Sequence, residues 1–456
     1  MKHKILILSC VLVLVALVVS ACGPTTTVQP ATQTPQSAPT QSPPQESTSG
    51  SSASTSGKKV VITWWHITTA EDQKAVWQKL ADEYMAAHPN VEIQITVMEN
   101  EAFKTKMTTV MQSGNPPDIF QSWGGGVMIE YAKAGLLQDI TSYLDADNGA
   151  WRSTFSPGAL AVYAYEGRNY GVPWDMGMVG FWYNKTLFSQ AGIEAPPKTW
   201  SELLEDVKKL KAAGITPIAL GAGDKWPAAF WWEYLAVRLG GKEAFDKAYS
   251  GQGSFADEPF VEAGRKLQEL AALQPFQDGF LGATWGDEAT LMGNGKAAMD
   301  LMGQWAPGTF RDNSPDKKGI GDALGWFPFP MVEGGAGDPS DALGGGNGFA
   351  IGKNAPPEAI DFVKYLTRPE SQIQCAQVGF CLPVVKGGEA GLSDPLLIQV
   401  QKGAANAKYF QLYYDQFLPP ATGSVVNDSV QALLASTMTP EQAAQAIADS
   451  FTQEMK

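Results

Sequence analysis

Tryptophan at expected strand ends and in glycine-containing loops, with a polar side chain nearby, recurs along this 456-residue chain. The segments are Trp65-His66, Ser122-Trp123-Gly124-Gly125-Gly126, Gly221-Ala222-Gly223-Asp224-Lys225-Trp226 and Gly303-Gln304-Trp305. Asp175 in Val172-Pro173-Trp174-Asp175, Trp285, and Gly346 and Asn347 within Gly344–Gly348 extend the set. The chemistry open to such residues is recognition of a carbohydrate. A pyranose has apolar C–H faces and a rim of hydroxyls, so an indole stacks on the face while Asp, Gln, Asn or His hydrogen-bonds the rim. Each ring also has an alternative as plain core. Trp77, Trp182 and Trp200 fall at apolar-periodic positions and are expected in the core. Asp175 is either a rim acceptor or a turn residue. The Gly344–Gly348 run either lets backbone approach a ligand or bends the chain between lobes.

Groups for catalysis are sparse. The histidines are His3, His66 and His88, and no nucleophile elbow, zinc-protease, Cys-x-x-Cys or phosphate-loop motif is present. No cofactor or metal is expected. A glycosidase needs two carboxylates across one bond. Asp175 with Asp287 or Glu288 would supply them, but nothing in the sequence brings these together. A glycoside-processing enzyme therefore stands as the alternative to a binding module, with a sensory or adhesive lipoprotein as a third reading.

The elements that must position these residues alternate strand and helix. Val60–Trp65 reads as a buried strand and Glu71–Ala87 as a helix with Val76, Leu80 and Tyr84 on one face. A strand alternating through Val91, Ile93, Ile95 and Val97 follows, then a helix through Phe103, Met107 and Met111, and a short strand over Asp118–Gln121. This βαβαβ order predicts a parallel sheet with helices on both faces. A second cycle starts near Gly180. It has a capping box at Thr199-x-x-Glu202, a strand over Thr216–Leu220, a helix over Phe230–Leu239, and strands at Ala297–Leu301, Leu324–Phe329 and Gly348–Ile351. Two α/β lobes are expected, with ligand beyond the carboxyl ends of the strands, where the tryptophans stand.

Residues 1–21 read as an export signal. Lys2 and Lys4 precede the apolar run Ile5–Val19, which is short for a bilayer span. Val19-Ser20-Ala21-Cys22 then resembles a lipobox, which predicts lipidation of Cys22. Residues 22–57, rich in Pro, Ser and Thr, are expected to be a disordered linker. Cys375 and Cys381 remain as an isolated pair outside the reducing cytosol, so a small-loop disulfide is expected, with two buried thiols as the alternative. A formal net charge of −14 disfavours nucleic acid as a partner.

Several stretches in order resemble one family. They are Pro117-Asp118-Ile119-Phe120 running into Ala134-Gly135-Leu136-Leu137, Phe181-Trp182-Tyr183-Asn184-Lys185 leading to Pro197-Lys198-Thr199-Trp200, Gly295-Lys296-Ala297-Ala298-Met299 leading to Gly303-Gln304-Trp305, and Gly348-Phe349-Ala350-Ile351. From Lys58 onward the chain resembles the family 1 extracellular solute-binding proteins of carbohydrate ABC importers, relatives of maltose-binding protein. The resemblance implies a two-lobed periplasmic-binding-protein fold (type II) that hinges shut on a sugar. It implies sugar-contacting aromatics at Trp226 and Trp305, a first-lobe aromatic at Trp123, and a further contact near Tyr414-Asp415. Gly124–Gly126 stands where maltose-binding protein has polar side chains, and the Phe120–Trp123 run looks more like xylobiose- or multiple-sugar-type binders. The expected lobes are residues 58–174 with 344–408, and 175–343 with 409–456. Their expected crossings lie near Pro173–Val179, Asp341–Gly348 and Ala407–Tyr413. The implied partners are a carbohydrate, the subunits of an ABC permease and, through the lipid, the outer face of the cytoplasmic membrane. The protein is expected to be a monomer and not an enzyme.

Overall fold

Alternation decides how the first strand sits. In β1 (Val60–His66), Ile62, Trp64 and His66 are buried on one face, while Val61 is 44% exposed. The structure is a computed structural model that describes residues 59–456. The expected signal, linker and Cys22 site lie outside the described residues. Parallel pairing of β1 with β2 (Val91–Val97) and with β3 (Ile119–Ser122) is made by crossover helices Glu71–Ala87 and Asn100–Gln112.

A short hairpin of β4 (Ala164–Tyr165) and β5 (Arg168–Asn169) precedes β6 (Gly171–Pro173), β7 (Gly177–Met178) and β8 (Gly180–Asn184). Then come β9 (Thr216–Ile218), β10 (Ala297–Met302), β11 (Leu324–Phe327), β12 (Ala342–Gly345), β13 (Gly348–Ile351) and β14 (Phe410–Leu412). The first sheet has the order β2-β1-β3-β13-β6 and the second β11-β8-β10-β9. The βαβαβ unit β1–β3 is parallel as expected, while the pairings added to it, and most of those in the second sheet, are antiparallel. β13 runs antiparallel to β3 and β6, and β8 antiparallel to β10 and β11. β13 follows β12 of a different sheet after only Gly346 and Asn347, so no βαβ crossover from its own sheet sets its direction.

Strands β14, β12 and β7 form a third, three-stranded sheet from the stretches of chain that pass between the first two. Both faces of the first sheet are covered. Ile62, Trp64, Ile119 and Phe349 join one apolar cluster with Trp77, and Phe120 and Ala350 join another with Phe103 and Met107. Trp182 and Trp200 lie in the large cluster around the second sheet. Each such fully buried large side chain contributes roughly 1.5–3 kcal/mol. Helix Pro395–Asn406, expected with the first lobe, packs instead on this second core, because Leu397 and Val400 bury there and Gly403 meets Met178. Among the described residues no helix is long and apolar enough to cross a membrane.

Candidate functional site

Between the first two sheets lies a cleft holding about 970 Å³ of space, open to solvent at its mouth. Its second-lobe wall is aromatic. Trp226 opens the helix Trp226–Tyr249, longer than the expected Phe230–Leu239 and bent at Gly241. Trp285 opens the helix Trp285–Gly293, whose start is fixed by a capping box between Thr284 and Asp287. Trp305 immediately precedes the helix Ala306–Asp312, and its ring lies over Gly303, where any Cβ would collide with it. The ring centroids of Trp226 and Trp285 are 6.0 Å apart, those of Trp226 and Trp305 6.3 Å, and Phe230 stands 5.4 Å from Trp226. Three helix starts thus bring three indoles to one place.

The facing wall is mixed. Trp123 lies half-buried, with Phe103 6.1 Å away and the Lys104 Nζ 5.8 Å from its centroid. Thr68, Gln73, Asn100 and Gln121 line the same side, and Trp174 and Phe380, 4.9 Å apart, close one end. Phe380 is held within a short loop closed by the Cys375–Cys381 disulfide, whose Cα atoms are 5.7 Å apart. The two walls meet at the mouth. Asp312 Oδ2 accepts from the Glu71 amide at 2.9 Å, and Arg311 Nη2 donates to Asp72 Oδ2 at 3.1 Å.

The floor is a hydrogen-bonded chain. Asp175, 1% exposed, accepts from Gln304 Nε2 at 2.9 Å, from the Asn347 amide at 3.0 Å and from Asn347 Nδ2 at 2.9 Å. Asn347 Oδ1 in turn accepts from Gln121 Nε2 at 2.7 Å. Burial pushes the Asp175 carboxyl up to about 6, against the pull of its hydrogen bonds. Gly346 makes no cleft contact. It lets the chain pass so close to Asp175 that a Cβ would sit 2.8 Å from that residue's carbonyl oxygen.

Of the residues singled out in the sequence, Trp123, Asp175, Trp226, Trp285, Trp305 and Asn347 line the cleft. Gln304 reaches it through Asp175. Trp65 and His66 do not line it, because alternation sends them to opposite faces of the first sheet and both faces are covered. His66 shares the core face of Trp64, 5.0 Å from that ring, and Trp65 packs with the Phe103 cluster. Burial, and then the charge of Lys74, lowers His66 to about 4. The carboxylates imagined as a glycosidase pair are occupied elsewhere. Asp287 caps its own helix, and Glu288 Oε2 accepts from the Gly221 amide at 2.6 Å. Sequence reasoning missed Gln121, Gln73, Asn100 and Phe380 as lining residues. The signal for Gln121 and Gln73 was a polar residue at a position whose neighbours are core.

Among the described residues, several polar atoms of cleft-lining side chains are buried without a partner: Trp174 Nε1, Trp226 Nε1, Gln73 Nε2 and the Tyr413 hydroxyl. The same architecture occurs in known proteins. A family model described as bacterial extracellular solute-binding protein matches residues 68–373. An uncharacterized ABC transporter extracellular-binding protein of Pyrococcus horikoshii is 30% identical over 58% of this chain and 57% of its own length. The match therefore spans little more than half of that curated relative. A protein solved in work on xylan utilization by the thermophilic bacterium Caldanaerobius polysaccharolyticus superposes with a TM-score of 0.80 and 31% identity, over 86% of this chain and 99% of that one. A chitin oligosaccharide binding protein gives a TM-score of 0.79 and 28% identity, over 87% of this chain and 99% of that one.

Proposed function

The chain belongs to the bacterial extracellular solute-binding proteins, and on that premise we propose that it binds a mono- or oligosaccharide in the interlobe cleft and delivers it to the permease of an ABC importer. One observation carries the reading: three clustered indoles face a floor and wall of amide, hydroxyl and carboxylate groups. Trp226, Trp285 and Trp305 offer faces for stacking on sugar C–H surfaces. Asp175, Asn347, Gln121 and Gln73 offer a rim for hydroxyls, with Gln304 bracing Asp175. Buried polar atoms are normally paired, so the unpartnered indole N–H groups and the Tyr413 hydroxyl suit hydroxyl-rich ligands. Relatives described by xylan and by chitin oligosaccharide make short oligosaccharides of those polymers the first ligands to try.

Closure on the ligand accompanies binding. A sugar that touches both walls gains its full set of contacts only when they approach, so it shifts the population toward the closed form. The three-stranded β14-β12-β7 sheet is the proposed hinge. Lipidation of Cys22, with residues 22–57 as tether, would keep the loaded protein at the outer face of the membrane, where two acyl chains hold stably. Thermal unfolding over a panel of xylo-, chito- and malto-oligosaccharides tests the ligand class. A bound sugar at a thousand times its Kd adds about 4 kcal/mol to the folded state. A panel that leaves the transition unmoved throughout would overturn the saccharide reading.

A further inference from the structure

Behind the aromatic wall two carboxyl groups share one buried site. Glu288 and Asp300 are 1% and 0% exposed. Among the described residues neither Asp300 oxygen has a hydrogen-bond partner, and the helix Trp285–Gly293 that carries Glu288 packs on β10, which carries Asp300. Two carboxylates this deep do not both ionise; a proton between them turns repulsion into a hydrogen bond. The remaining Glu288 oxygen accepts from the Gly221 amide at 2.6 Å.

The position of the pair is its most informative property. Glu288 is one helical turn beyond Trp285. Asp300 lies in β10, which runs directly into Gly303-Gln304-Trp305. Gly221 opens the loop that ends at Trp226, and within that loop Asp224 Oδ2 accepts from the Trp285 amide at 2.8 Å. Glu288 therefore joins the three segments that carry the three indoles, its own helix, β10 through Asp300 and the Trp226 loop through the Gly221 amide. A further charge bearing on Glu288 is negative, Asp224 in that loop. On β8, Trp182 is the register partner of Asp300. Charged side chains on the packed elements have partners of their own: Asp287 caps its helix, Arg311 and Asp312 reach the helix Glu71–Ala87, Arg238 donates to the carbonyls of Phe329, Pro330 and Asp341, and Glu233 Oε1 accepts from the Tyr414 amide.

We propose that the Glu288–Asp300 pair is a positioning device that sets the mutual placement of Trp226, Trp285 and Trp305, and that saccharide affinity falls when the pair becomes fully ionised. The proposal rests on the saccharide reading for its functional consequence but not for its structural one. Burial raises both carboxyls, Asp300 to about 7 and Glu288 well above the value of a free carboxyl near 4, the latter also through the neighbouring charge of Asp300. The folded state therefore holds more protons than the unfolded one, so the contribution of the pair is full at low pH. It declines as pH rises from about 4 through 7 and beyond.

The test uses the full chain and its E288Q and D300N variants, in which an amide N–H replaces the shared proton at every pH. Xylo- or chito-oligosaccharide affinity, near-UV circular dichroism and thermal unfolding are measured at pH 6 and pH 9. The expected result for the parent is a Kd about tenfold weaker at pH 9, the effect of one unit of pKa difference. An altered indole spectrum and a lower Tm should accompany it. Both variants should flatten this dependence, and any slope left in them belongs to Asp175 and Glu233. If no saccharide binds at either pH, the saccharide reading fails, while the indole spectrum and Tm still decide the role of the pair. A parent whose spectrum and Tm do not change with pH overturns the proposal, as do variants that retain the parent's full slope. Should either variant fail to fold, the parent profile and the other variant decide.

Discussion

The two walls of the cleft are built on different principles. The second-lobe wall is three indoles at three helix starts, their backbones pinned by Asp224, by the Thr284–Asp287 capping box and by the collapse of Trp305 onto Gly303. The first-lobe wall is one half-buried indole, Trp123, among Thr68, Gln73, Asn100, Lys104 and Gln121. Large rings with few rotatable bonds and fixed anchors lose little freedom on binding, whereas long polar side chains lose more per contact. The difference assigns the shape of the ligand's face to the second wall. Reading of hydroxyls, and the gain in contacts on closure, fall to the first.

The strongest way to break this comparison is to remove a ring from each wall. Trp305→Ala is expected to weaken saccharide binding by roughly 2–4 kcal/mol, as an aromatic hot spot does, with the Tm nearly kept because the ring lines the cleft. Trp123→Ala should cost less, about 1 kcal/mol. Calorimetric titration of both variants against one oligosaccharide measures the ratio. Equal losses would end the claim that the walls differ in kind.

Asp175 joins the walls, so its loss should be felt in the fold as well as in the ligand. Asp175→Ala leaves Gln304 and Asn347 without their acceptor and is expected to cost about 1–3 kcal/mol of stability. Because burial raises this carboxyl to about 6, above its unfolded value near 4, its contribution is full below about pH 4. It is lost as pH rises through 6. Asp175→Asn should remove that part of the pH dependence of Tm between pH 4 and 7. An unchanged profile would show that the carboxyl is already ionised throughout.

The smallest expected effect is at the mouth, where Arg311 reaches Asp72. Both side chains are about a third exposed, and such pairs contribute at most about 1 kcal/mol. Arg311→Ala should therefore weaken saccharide binding slightly, by destabilising the approach of the walls, and the loss should shrink further in high salt. A loss as large as that of Trp305→Ala would move the closing energy from the aromatic wall to the mouth.

Local pattern alone determined a good deal of this protein. The buried strand at Val60–Trp65, alternation in Val91–Val97, helical spacing in Glu71–Ala87 and the capping signal at Thr199 are properties of a few neighbouring residues, and the structure forms all of them. Trp226 and Trp305, singled out beside glycine-containing loops, stand on the cleft wall. Trp65 and His66, singled out at a strand end, do not, because they point to opposite faces of a sheet that is covered on both. Sheet direction was also beyond local pattern, since β13 enters the first sheet from β12 of the third sheet and runs antiparallel to β3. Tertiary structure alone decided the floor of the site and the acid pair behind its wall. Gln304 is 129 residues from Asp175, Asn347 is 172 residues from it, and Gly221 is 67 residues from Glu288. Such partners are chosen by which buried polar group lies within hydrogen-bond reach once the lobes have packed. No periodicity in the chain encodes that distance.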